Sequence, residues 1–235
     1  MFGAIWILLT PLLMLSVFTL VFHGVFGTRW PGTQTQSPIE FALFVFAGLM
    51  LFQFVADVIT KAPSLVVSQP NYVTKIVFPL WLLPLSSTLS SLFQLLVSTL
   101  LLMALLVFTH GCSWYWLWQP FILLPLVAMV TGFAWGLAAL GVYARDTGPV
   151  ISMLTTLLMF LSPIFFPVAS VPEAWRTLFM LNPLAIFIEQ TRSVLLLNTA
   201  PEIGALIMMY LIGAITVSLG IWIFRKLQLG FADVI

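Results

Sequence analysis

The 235-residue chain is 62% hydrophobic and only 6% charged, with a net charge of +1. A soluble domain carries about 25% charged residues, so most of this chain has lipid as its solvent. The near-zero charge excludes the basic footprint of a nucleic-acid binder, and the single cysteine, Cys112, excludes an intrachain disulfide and any thiol-built metal site.

A bilayer core takes about 20 apolar residues per helix, and lipid forces each run to satisfy its own backbone as a helix. The first run is 3–26. Residues 1–28 lack a basic n-region and no A-x-A site follows, so it reads as a retained span rather than a signal peptide. The stretch GTRWPGTQTQSP breaks it, and a second span covers about 39–60. A polar loop, KAPSLVVSQPNYVTK, follows. Residues 76–144 hold no Asp, Glu, Lys or Arg. That length is two spans, about 78–109 and 120–143, broken at HGCSWYWLWQP. The fifth span is about 149–169 and the sixth about 203–224. The segment 172–200 is too polar for a span and too apolar for a free loop. Pro172 suits the start of one short helix, and Asn182 before Pro183 suits the cap of a second. The expectation is therefore an all-α polytopic membrane protein. It has six transmembrane helices, short interfacial or re-entrant helices before the last span, and one domain over residues 1–235.

Six spans put both termini on one side. That side carries Lys61, Lys75, Arg145, Arg225 and Lys226, against Arg29, Arg176 and Arg192 on the other. The positive-inside rule then makes the termini cytoplasmic. Arg145 and Asp146 interrupt the uncharged stretch at the turn between spans four and five. They read either as a solvated turn or as a contact point for a cytoplasmic partner. Glu189 and Arg192 are spaced to pair on one helix face; the pair either makes a half-buried helix tolerable or belongs to a gate helix at the outer mouth. Phe18, Phe22 and Phe26 repeat every four residues. Phe41, Phe44 and Phe52, with Gly48 between, form a second stripe. Ser152, Thr155, Met159 and Ser162 read as one face of span five. Such stripes serve helix packing or, by stacking on pyranose rings, a sugar pathway.

Several classes are excluded. No P-loop pattern is present, so the chain has no phosphate cradle of that kind. His23 and His110 lack metal-ligand spacing. No span has an acid at its centre, which argues against an ion-coupled carrier or an intramembrane enzyme. If the protein moves a substrate, the energy comes from elsewhere.

Five stretches in register carry a resemblance: NYVTKIVFPLWLLPLSS (71–87), ALGVYARDTGPV (139–150), LSPIFFPV (161–168), LNPLAIFIEQTRSVLL (181–196) and LGFADVI (229–235). The chain resembles, from residue 3 to its C-terminus, the ABC type-2 permeases that export polysaccharides such as O-antigen and teichoic acid precursors. The resemblance implies a homodimer in the bacterial inner membrane with a separate ATP-binding subunit dimer on the cytoplasmic side. ATP and magnesium would belong to that partner, leaving this chain with no cofactor and no catalytic residue. The cargo would be a polymer on a polyprenyl pyrophosphate lipid, taken from the surrounding membrane lipid. Residues Gln69, Asn71, Tyr72 and Lys75 fall in the family's ATPase-coupling segment, and Arg145 and Asp146 match its cytoplasmic RD. Residues 172–200 correspond to outer gate helices, placing Pro172, Asn182, Pro183, Glu189 and Arg192 there. The stripes on spans one, two and five match pathway-lining helices. Family members usually carry an amphipathic basic segment before span one. This chain opens almost directly at FGAIW, and the expectation is a misplaced start rather than a truncated product. Two other functions fit the same architecture: export of a drug, lipid or haem, and a non-transporting anchor for glycosyltransferases.

Overall fold

The computed structural model describes residue 9 and residues 11–14, 16–17, 20–25, 38–74, 78–168 and 171–234. Its helices are α1 (Pro38–Lys61), α2 (Pro70–Thr74), α3 (Leu82–His110), α4 (Gln119–Tyr143), α5 (Thr147–Leu161), α6 (Glu173–Met180), α7 (Pro183–Leu195), α8 (Ile203–Leu227) and α9 (Phe231–Val234). A π-helical stretch at Leu20–Val25 precedes them. No strand occurs among the described residues.

Four helical stretches among the described residues are long and apolar enough to cross a membrane: Ile39–Ser64, Leu82–Thr109, Trp114–Tyr143 and Ile203–Gly230. They coincide with spans two, three, four and six. Span one is described only in pieces, at 9, 11–14, 16–17 and 20–25. Span five differs from its expected bounds of 149–169. The helix there has 15 residues and stops at Leu161, about 22 Å at 1.5 Å per residue against a core of about 30 Å. Pro163 is the reason. It has no N–H to continue the ladder, and it pushes Ser162 out of helical backbone. Ser162 therefore sits beyond α5 and does not share a helical face with Ser152 and Thr155. Span three also starts late, at Leu82, where the backbone N–H bonds to the Pro79 carbonyl at 3.0 Å.

The chain divides into two compact units, each drawn from several passes of the chain. One comprises Met1–Gln53, Gln94–Ile122 and Met159–Leu206. It buries Phe41, Phe44 and Phe46 of α1, Leu102 and Leu106 of α3, and Phe187 and Ile188 of α7. Thr99 faces the Met50 sulfur at 3.8 Å, tying α3 to α1 there.

The other unit comprises Phe54–Phe93, Leu123–Leu158 and Ile207–Ile235. Its core joins Val66, Trp135, Ala138, Ala139, Val142, Phe224 and Phe231. Phe231 meets Phe224 edge-on at 5.7 Å between ring centres, so the tail helix α9 closes this core. In the same unit α4 and α8 touch backbone to backbone. A side chain on Gly220 would strike the Gly132 carbonyl, and one on Gly132 would strike the Thr216 carbonyl. Close approach through small residues is how helices pack where lipid offers no hydrophobic drive.

Candidate functional site

The break after α5 creates a problem that the rest of the first unit solves. Ser162, Pro163, Ile164 and Phe165 are all buried, yet their stretch has left the helix. Buried carbonyls without partners are costly, more so where no water reaches. Two side chains of the α7 segment supply the donors. Asn182 sits in extended backbone at the α7 N-cap, and its carbonyl oxygen accepts from Leu184 N–H at 2.9 Å. Its amide nitrogen donates to the Leu161 carbonyl at 3.2 Å and to Ser162 Oγ at 2.8 Å. One side chain thus caps the start of α7 and the end of α5 together.

Arg192, in the last turn of α7, does the larger share. It is 4% exposed. Its Nε donates to the Phe44 carbonyl at 3.0 Å, Nη1 to Pro163 at 2.6 Å and Nη2 to Ile164 at 2.7 Å. The rigid guanidinium fork serves three carbonyls on two separate segments, which a point-like ammonium does not match. Gly48 makes room for it. A Cβ there would lie 2.9 Å from Arg192 Nη2 and 3.3 Å from Ile164 Cα. Burial pulls the Arg192 pKa down to about 9, and Glu189 opposes the shift, so the group stays charged at neutral pH. Glu189 itself is exposed; it acts on Arg192 through its field while the fork is directed at carbonyls.

The ends of α6 and α7 are also tied. Pro172 offers its carbonyl to Trp175 and Arg176 N–H at 2.9 and 3.2 Å, starting α6. Phe179 on α6 meets Phe166 edge-on at 5.4 Å. Trp116 Nε1 donates to the Leu195 carbonyl at 3.2 Å, closing the far end of α7. Pro172, Asn182, Pro183 and Arg192 are therefore parts of one assembly around the 162–165 break. Among the described residues, neither amide atom of Gln119 nor the Thr191 hydroxyl has a hydrogen-bond partner, although both side chains are buried.

A second group lies in the other unit. Ala62, Pro63 and Val66 are buried, and Pro63 abuts the bare backbone of Gly141. This roots the loop after α1 on the end of α4. Gln69 and Asn71 are exposed, and Tyr72 is half-buried against Phe78 at 4.7 Å between ring centres. Lys75 lies outside the described residues. Arg145 and Asp146 are exposed in the α4–α5 turn, and neither is ion-paired among the described residues. Tyr143, just before them, donates to the Leu227 carbonyl at 2.8 Å. Val66 and Val142 share one core, so residues 69–72 at the start of α2 and the 145–146 turn each leave that core within a few residues.

The aromatic stripes give less. Phe18 and Phe26, and the Phe22 side chain, lie outside the described residues. Phe41, Phe44 and Phe52 are buried, as is Thr155, whereas Ser152 is exposed. Both hydroxyls turn back to their own helix, Ser152 to Gly148 and Thr155 to Ile151. The residues that sequence reasoning missed are Gly48 as the seat of Arg192, and Trp116 and Tyr143 as long-range donors. The Trp cluster before α4 was a signal for the second; nothing local signals the first.

A family model for ABC-2 type transporters matches residues 1–196. Two O-antigen export system permease proteins RfbA from Klebsiella pneumoniae are 27% and 25% identical to this chain over 237 and 238 residues. Each alignment covers all of this chain and 88% of the relative. The protein of that name from Myxococcus xanthus is 24% identical over 234 residues, covering 98% of this chain and 87% of the relative.

Proposed function

The chain belongs to the ABC-2 type transporter family, and from that we propose that it is the membrane subunit of an ATP-driven exporter of a lipid-linked, O-antigen-like polysaccharide. The observation that carries this reading is end-to-end similarity to three permeases named for O-antigen export, covering 100%, 100% and 98% of the chain. In this reading two copies form the pathway in a bacterial cytoplasmic membrane, with both termini inside. A separate ATPase dimer docks on the 69–75 loop and on Arg145 and Asp146, whose exposure and lack of an ion pair among the described residues suit a docking contact. The α6 and α7 segment beyond the α5 break forms the outer gate, with Asn182 and Arg192 fixing it to the body of the subunit. Phe18, Phe22, Phe26, Phe41, Phe44, Phe52, Ser152, Thr155 and Ser162 belong to the three sequence stretches, spans one, two and five, that would flank the pathway; burial of the α1 rings favours a supporting role over direct sugar contact.

Deleting the gene and separating surface polymer from lipid-linked polymer inside the cytoplasmic membrane tests the proposal. The expected result is loss of surface polymer with lipid-linked chains accumulating inside. Unchanged surface polymer would remove the polysaccharide cargo and leave export of a small molecule on the same architecture.

A further inference from the structure

The geometry points to a binding site for an anionic diacyl phospholipid on the second unit, at the level where α3 begins and α8 ends. A cleft of about 390 Å³ opens there between Trp81, Leu85, Trp135, Ile221 and Phe224, with Arg225 and Gln228 on its lining. That volume lies within the range of ligand pockets, and the walls are apolar with few polar groups, as such pockets usually are. Trp135 Nε1 donates to the Trp81 carbonyl at 2.9 Å. The bond uses the one polar group of the Trp135 ring and ties two lining residues together, so the Trp135 indole offers hydrocarbon. The polar features are cationic. Arg225 and Lys226 are exposed, and neither is ion-paired among the described residues. A shallower recess lined by Ser218, Trp222, Ile221, Arg225 and Lys226 shares Ile221 and Arg225 with the cleft. Lys226 Nζ lies 5.0 Å from the Trp222 ring centre, which holds the ammonium beside that recess.

An apolar slot with Arg225 on its lining and Lys226 on the adjoining recess, neither ion-paired among the described residues, selects an amphiphile with a phosphate head and a hydrocarbon tail. The tail fits against the two indoles and Phe224, and the phosphodiester against Arg225, Lys226 and the Gln228 amide. Net negative charge is favoured because the described lining of the cleft and recess brings two positive charges and no acid. The surroundings supply such a ligand, since Leu219, Trp222 and Leu229 around the site are exposed hydrophobic residues on an apolar spanning helix. Basic pockets at helix ends on the membrane surface bind anionic headgroups in this way. The site rests on the membrane setting of the family and is independent of the cargo.

The test uses the full chain purified with its ATPase from nanodiscs of phosphatidylcholine with one fifth phosphatidylglycerol. Retained lipids are counted by native mass spectrometry, and a photocrosslinker at Leu85 reports what enters the cleft. The wild type is expected to retain phosphatidylglycerol above its bulk fraction and to crosslink to lipid. Arg225→Gln and Lys226→Gln are each expected to weaken that preference about fivefold, while Lys61→Gln, at an exposed lysine elsewhere in the unit, leaves it unchanged. Retention at the bulk ratio, or an equal loss with Lys61→Gln, overturns the proposal. So does a crosslink to a protein or to a polyprenyl lipid, which would make the cleft an interface or part of the cargo route.

Discussion

Arg192 holds three carbonyls with one planar group, and each bond runs to backbone far away in sequence. Arg192→Lys keeps the charge but not the fork. Stranding two of the carbonyls costs roughly 1–3 kcal/mol each, and a chain of this size loses about 2–4 °C per kcal/mol. The expected result is a melting midpoint in mild detergent lowered by roughly 10 °C; an unchanged midpoint would show that the three bonds are not stabilising. Gly48→Ala presses on the same group from the other side, and overpacking of this kind costs about 1–3 kcal/mol. Because both changes strike one contact, the double variant should lose less than the sum of the singles. Gln119 behaves in the opposite sense. Its side chain is 1% exposed and its amide has no hydrogen-bond partner among the described residues. Replacing such a group with an apolar one of similar shape is neutral or stabilising. Gln119→Met should therefore hold or raise the midpoint, and a clear fall would mean that a second subunit supplies a partner.

At the level of elements, the short α5 is possible only because α7 completes it. Asn182 performs two tasks that can be separated. Asn182→Asp keeps an oxygen to accept from Leu184 N–H but loses the donor to Leu161 and Ser162. Asn182→Ala loses both, and the cap alone is worth about 0.5–2 kcal/mol. The ordering expected in thermal unfolding is wild type, then Asp, then Ala; an Asp variant equal to wild type would reduce the role of Asn182 to capping. The cap was legible in the sequence because it is local, with Asn182, Pro183 and Leu184 adjacent. The partners of Arg192 were not. The sequence offered Glu189 three residues away, whereas the hydrogen-bonded carbonyls lie 28, 29 and 148 residues away, and separation of that kind leaves no periodic trace. The stop at Leu161 was half legible. Pro163 marks a helix end, but the apolar run through Val168 reads as a span by composition, and the structure follows the proline.

For the molecule as a transporter, the readable part was the part set by lipid: the long apolar helices and the polar breaks between them. What the chain moves came from resemblance, because stacking rings and packing rings use the same residues at the same spacing. Arg145→Ala tests the assembly as a whole. If the α4–α5 turn relays ATPase movement, the variant should co-purify with its ATPase as the wild type does while surface polymer falls severalfold; export at the wild-type level would make the turn merely solvated. The capped break also sets an order of events during synthesis. Arg192 leaves the ribosome 28 residues after Ile164, the carbonyl it serves. At about 5–20 residues per second that interval is roughly 1–6 s. For those seconds the Pro163 and Ile164 carbonyls lack the guanidinium that serves them, so they must wait in water or in the insertion machinery. The segment can settle only after the later helix has arrived, which makes this part of the protein enter its membrane as a pair rather than one pass at a time.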